Sequence, residues 1–418
     1  MRRAHLIGSV ALGAVLVSAP LGAGAAHAQT LVPGAAVDSL LALGRQLSPA
    51  LRAVALDTEA AAARASGADR LDDATIADSY TYYKDPGVFS GHAITLTQAF
   101  PLWGKRSLRQ KAALADVDAS RGREQAAGDE LDEKVKVAYA QYYLASRSVA
   151  ISQEVASLAR RMRAAANARY GQGGGDQVSV IQALNDETTA RTEAARLEGI
   201  KGAARARLNA LVGRPADAPL AEPSRLKPPP VLDPALPALV ERARAVNPTL
   251  AASNAAIAAA RTRSALADKA WYPDVTVGAG PLVQTNNRPV GFAATVGLNI
   301  PLPWGREAAG QREAAAQLSA TQQRYDAARL EIEGALAEAM ARLRAARSTE
   351  AILRREAVPQ ARAAFQSVLA SYGQGRGELT AAITAEHQIH DVELRLLQAR
   401  FDQQVEMAAI ERLIGGDL

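Results

Sequence analysis

In the middle of the first half of the chain, apolar residues fall at Leu131, Val135, Ala138, Tyr142, Ala145 and Val149, a 4,3,4,3,4 spacing. That is the heptad seam of a helix packed lengthwise on a neighbour. A second row, Val137, Leu144, Ile151, Val155, Leu158, Met162 and Ala165, lies a quarter to a third of a turn around the same helix. A helix with two seams packs on both sides, which lets helices form a sheet that curves into a tube. Gly104 to Tyr170 is 67 residues without a proline. At about 1.5 Å per residue it predicts a helix of about 100 Å, too long for an ordinary globular domain. Beyond it, Val178, Ile181, Leu197, Ile200, Ala204, Leu208 and Leu211 keep the 3/4 spacing up to a capping Gly213, so a helix returns along the first.

Elsewhere the period changes to two. Phe292, Ala294, Val296, Leu298 and Ile300 alternate, as in a half-buried strand. With residues 272–283 they form a strand pair around the polar cluster QTNNRP. The first half offers residues 74–83 and 91–100 around KDPGVFS. Each run is close to the ~9–11 residues a tilted strand needs to cross a bilayer core.

The two halves share one plan. LSPAL at 47 matches VNPTL at 246, Trp103 matches Trp304, YGQGGGD at 170 matches YGQGRGE at 372, and LNALVG at 208 matches IERLIG at 410. The offsets are 199, 201, 202 and 202. Four landmarks in one order imply a tandem duplication. The first repeat is 29–214, with strands at about 74–100, a long helix at 104–170 and a return helix at 177–213. The second is 238–418, with strands at 272–300, a long helix at 305–372 and a return helix at 378–414. An Ala-rich helical segment opens each half, at about 35–67 and 235–269. Residues 215–237 carry eight prolines and read as an extended connector. Pro359 is expected to kink the second long helix.

Composition narrows the location. Residues 1–28 read as an export signal: Arg2 and Arg3, an apolar run from Leu6 to Val17, and Ala26-His27-Ala28 as the cleavage site. The chain has no cysteine, which excludes disulfides, thiolate metal sites and a lipidated N-terminal cysteine. Net charge is +5, two of it in the signal, too little and too dispersed for nucleic acid. With no later apolar run of helix-spanning length, export leaves a soluble protein or a β-barrel. Four strands cannot close a barrel, and open edges cannot exist in lipid. Closed barrels start at about eight strands. A homotrimer, with twelve strands, is the natural count.

The whole mature chain resembles the TolC family of outer-membrane efflux and secretion channels. TLTQAFPLWGKRSLRQKAA at 95–113 and GLNIPLPWGREAAGQREAA at 297–315 are most similar to the branch serving cobalt–zinc–cadmium and copper–silver resistance pumps. The resemblance implies a mainly α fold with a transmembrane β-barrel contribution. A twelve-stranded trimeric barrel would sit in outer-membrane lipid and continue into a periplasmic helical tunnel. It implies a passive exit duct, with a periplasmic adaptor and an inner-membrane resistance–nodulation–division pump as partners, and no cofactor. A drug-efflux or type I secretion duct of the same fold stays open as an alternative. So does a soluble periplasmic coiled-coil scaffold.

The candidate chemistry is slight. YGQGGGD lacks the Gly-Lys-Ser/Thr ending of a phosphate loop and follows a helix, so its glycines read as turn chemistry. The resemblance makes Gly173, Gly174, Gly175 and Asp176, with Gly375, Arg376, Gly377 and Glu378, the tips that an adaptor touches. Gate aspartates of some family members would fall at Ala381 and Thr384, so that gate is missing here. Asp176, Asp186, Glu187 and Glu378 are the substitutes, as rings of acids in the lumen. His387 and His390, with Glu386 alongside, have metal-compatible spacing but no third strong ligand, and a solvated helix face is the simpler reading. Trp103 and Trp304 fall where strands meet helices, the place of an aromatic belt or of joint packing. No catalytic set is present, so no enzyme is expected.

Overall fold

The computed structural model describes residues 32–82, 91–228, 235–284, 289–302 and 304–418. The expected export signal at 1–28, the KDPGVFS turn and the centre of the QTNNRP turn lie outside the described residues.

Each half opens with two helices where one was expected: α1 (Val37–Leu47) and α2 (Pro49–Gly67), then α5 (Leu236–Val246) and α6 (Pro248–Asp268). The break follows from Pro49 and Pro248. A proline lacks the N–H an inner helical position must donate, but fits the first turn of a new helix. The two breaks are not equally supported. The Asn247 side chain accepts from the backbone N–H of Thr249 and Leu250 at 2.9 and 3.1 Å, and donates to the Leu413 carbonyl at 2.8 Å. The Ser48 side chain makes no capping bond. Asn247→Ala is therefore expected to lower stability by about 2–4 kcal/mol, the lost cap plus an orphaned buried carbonyl. Ser48→Ala should be near neutral; thermal melts of the two variants compare them directly.

The strands β1 (Thr75–Thr81), β2 (Gly91–Phe100), β3 (Asp274–Gln284) and β4 (Pro289–Asn299) form one antiparallel sheet in sequence order. The two strand pairs of the duplication thus join through β2 and β3. Between them, residues 91–93 pair with 282–284 and residues 96–100 with 275–279. The gap lies opposite Gly280 and Pro281, where proline has no N–H to offer. At Gly280 a side-chain Cβ would sit 1.8 Å from the Ile94 carbonyl oxygen, so only glycine fits.

Each strand pair leads into a helical hairpin. In the first, α3 (Lys105–Gly171) spans 67 residues and α4 (Gln177–Leu211) returns. In the second, α7 (Arg306–Ile352) and α8 (Val358–Gly373) are joined by a π turn at Leu353–Ala357, and α9 (Leu379–Leu413) returns. The expected kink at Pro359 takes the form of this turn. Widening the helix by one residue before the proline makes room for its ring and leaves no N–H to bond.

The first seam of α3 is buried in full. It joins Leu40, Leu208 and Val212 in one core, while Leu239, Leu336, Met340, Leu343, Ile410 and Ile414 build the other. The cores correspond: Leu40 with Leu239, Val135 with Leu336, Tyr142 with Leu343, Leu208 with Ile410. Duplication therefore reaches individual packing positions. The second seam is only half-buried. Ala165 is exposed, and Ala166 takes the buried place one residue on. That face is only partly covered by the helices of its own chain. The halves are also tied by charge: Lys136 on α3 reaches Glu411 and Asp417 at 2.6 and 3.2 Å, and Arg412 reaches Glu133 at 2.7 Å. The connector packs back as well, with Ala221 bonded to the Pro33 carbonyl and Leu220 buried in the first core.

Candidate functional site

In an antiparallel sheet, directly paired residues share a face. Ile76, Leu96, Val277, Phe292, Val296 and Leu298 therefore lie on one face, and all are exposed. Its polar members are neutralised locally. The Asp78 carboxylate lies 3.0 Å from the His92 ring nitrogen, and Gln98 donates to the Asp72 carbonyl at 2.8 Å. The other face carries Thr75, Ser79, Thr95, Thr97, Thr276 and Thr295 among Ala and Gly. One side thus suits hydrocarbon and the other water, with small side chains that leave a lumen open. Among the described residues, β1 and β4 each pair on one side only, so the sheet has two open edges.

Where sheet meets helix, the first half is stitched tightly. Trp103 adopts φ 60° and donates its ring N–H to the Pro273 carbonyl at 2.8 Å, with its ring 5.3 Å from that of Tyr272. Lys105, nearly buried, donates to the Tyr272 carbonyl and the Asp274 carboxylate, both at 2.8 Å. Trp304 is 85% exposed. The two tryptophans that sequence treats as equivalent therefore differ: Trp103 closes a joint inside the chain, while Trp304 points away from it.

At the far end both tips turn through a left-handed glycine, Gly173 at φ 74° and Gly375 at φ 78°. Gly175 and Gly377 sit where a Cβ would press on the preceding backbone at 3.1 and 2.9 Å. Asp176 caps α4, accepting from the Ser179 N–H at 3.0 Å, and the Ser179 side chain first, then this N–H, hold its pKa below the ordinary aspartate value. Glu378 precedes α9 without a side-chain cap. The tips touch through a residue that the sequence reading passed over. Arg169 lies 4.9 Å over the Tyr372 ring and donates to the Tyr372 and Gly174 carbonyls, both at 3.3 Å. Its counterpart in the second copy is Ser371, and Tyr170, the counterpart of Tyr372, is half exposed. The copies thus differ in charge at two places near the tip, Arg376 against Gly174 and Arg169 against Ser371, and the second decides which tips are clamped.

Asp186 and Glu187 are buried, 8% and 5% exposed, where α4 meets α3 and α9. They are not lumen-facing acids in this chain. Arg163 pairs with Glu187 at 2.9 Å, and His387 lies 3.0 Å from Asp186. Ala183 and Leu197 on the same helix turn into the core, so these acids ride on its buried face. The apolar residues Val178, Ile181 and Leu184 are exposed instead.

Residues 239–416 match the model of the outer membrane efflux protein family. The cobalt-zinc-cadmium resistance protein CzcC of Cupriavidus metallidurans is 25% identical over 324 residues, covering 75% of this chain and 74% of that protein. Among solved structures, CusC, described for its transmembrane channel formation, superposes with a TM-score of 0.78 at 17% identity, covering 93% of this chain and 94% of CusC. The outer membrane protein VceC of Vibrio cholerae gives 0.75 at 20% identity, covering 91% and 96%. At these identities the structural matches speak for the fold.

Proposed function

Because residues 239–416 match the outer membrane efflux protein family and CzcC is similar along three quarters of the chain, we propose that the chain is the exit duct of a tripartite efflux system and that it passes heavy-metal cations outward. It is an outer-membrane efflux channel with a periplasmic helical extension, not an enzyme. The observation that carries the fuller reading is the two-faced sheet with two open edges. In lipid each edge must find a partner, and β1 of one copy can pair only with β4 of the next. Three copies close twelve strands, within the range of known barrels. The same arrangement covers the half-buried second seam of α3 and the exposed apolar row of α4. The tips Gly173–Asp176 and Gly375–Glu378 then lie at the inner end of the duct, where a periplasmic adaptor fed by an inner-membrane pump would dock. Metal cargo is supported by the relationship to CzcC, a cobalt-zinc-cadmium resistance protein.

Deleting the gene and restoring it on a plasmid tests the cargo. Zinc, cobalt and cadmium tolerance should each fall several-fold in the deletion strain and return on complementation. Unchanged metal tolerance with lost drug tolerance would replace the metal reading by a drug duct. Fractionation tests the assembly independently: a heat-modifiable oligomer in the outer membrane is expected, and a soluble monomer would overturn the duct.

A further inference from the structure

Just above the tips, the return helices α4 and α9 meet across a polar contact. Thr380 donates to the Gln182 side chain at 3.4 Å, and further along Asp186 meets Glu386 and His387. Glu386 lies seven residues into α9, about 10 Å from its start. It is 2% exposed, and both its carboxyl oxygens are sealed from solvent without a hydrogen-bond donor among the described residues. The group within its reach is another carboxyl, Asp186, 8% exposed and held 3.0 Å from His387. Two ionised carboxylates in such a place repel each other and lose their hydration together; one shared proton removes both costs.

We propose that Asp186, Glu386 and His387 form a proton-binding site that clamps the two hairpins of one protomer together above their tips. The surrounding charges do not replace the proton. Arg163 of α3 pairs with Glu187, and Glu193 of α4 pairs with Arg196 at 2.5 Å. On α9, His390 is one turn further on, and burial lowers its pKa, disfavouring a compensating positive charge. Nearby on the elements packed against α9, Met162 of α3 and Tyr372 of α8 belong to the apolar cluster at the tips. His387 acts as the positioning residue, fixing the Asp186 carboxylate toward Glu386.

The pH window has a definite sign. Burial, and then Asp186, raises the Glu386 pKa from 4.5 to about 8. Between these values the packed helices hold a proton that separated helices would release. The contact therefore weakens as pH climbs through that interval and is weakest above about 8. The site lies inside one protomer and does not rest on the duct reading.

The test uses the full-length protein in detergent. The chain has no native cysteine, so Gln182→Cys/Thr380→Cys accepts a nitroxide pair across the contact. Dipolar broadening between the labels is expected to be strong at about pH 6 and to fall at least about twofold by pH 9, with its midpoint near pH 8. Glu386→Gln in the same background should keep the broadening at every pH. Asp186→Asn should move the midpoint lower by about one unit or more. Infrared titration of the wild-type chain should show one protonated carboxylic acid at neutral pH that disappears with the same midpoint. If Glu386→Gln keeps the wild-type pH response, or no protonated carboxyl titrates in the wild type, the proposal fails. Because the infrared result needs no variant, poor folding of Glu386→Gln leaves the test decisive.

Discussion

Arginine in place of Val296 is expected to keep the chain out of the membrane, while arginine in place of Thr295, the next residue on β4, should leave it inserted. Val296 is 75% exposed on the apolar face of the sheet, paired with Val277. Thr295 pairs with Gly278 on the polar face. A cationic side chain on the lipid side costs about 2–4 kcal/mol near the bilayer midplane, whereas the lumen side tolerates it. In a trimer the cost is incurred three times, so a single substitution reaches the scale of a whole domain's stability. Outer-membrane fractionation and the heat-modifiable band read the result. Equal insertion of both variants would mean that the faces are not lipid and lumen.

Alanine at Gly280 should be nearly as damaging, for a reason of space rather than charge. The added methyl would sit 1.8 Å from the Ile94 carbonyl oxygen, a backbone atom that cannot rotate away. Overpacking usually costs about 1–3 kcal/mol when side chains can give, and here the strands themselves must part. β2 and β3 form the seam between the two repeats, and their pairing is already interrupted beside Pro281. The expected outcome is a chain that exports but does not assemble, degraded in the periplasm. Gly291→Ala is the matched control, since its added Cβ meets only the Leu282 side chain at 3.5 Å. Equal assembly of both variants would show that the β2–β3 seam can shift to accept a methyl.

Much of this architecture was open to a reader of the sequence because it rests on periodic burial. The 4,3 spacing from Leu131 to Val149 specifies a buried stripe whatever covers it, and the alternation from Phe292 to Ile300 specifies a two-faced strand. The helix breaks at Pro49 and Pro248 were also visible, as Ser-Pro and Asn-Pro steps inside segments read as continuous. Turn glycines are legible in sequence as geometry, and Gly173 and Gly375 do take positive φ; that Arg169 clamps Tyr372 is not legible, because the two residues are 203 positions apart.

By itself, then, the sequence determined the duplication, the helices and strands, and which stripe of each is apolar, since these follow from local spacing and from comparing the chain with itself. Only the tertiary structure decided which of two equivalent residues is used. Trp103 is tied into a joint and Trp304 is left open; Tyr372 is clamped and Tyr170 is exposed; Asp186 and Glu386 are buried against each other although their helices read as solvated on that side. Duplicated segments begin as equals in sequence. Each copy meets a different neighbour when the chain folds back on itself, and the burial of a polar group is a property of that neighbour, which local spacing does not encode.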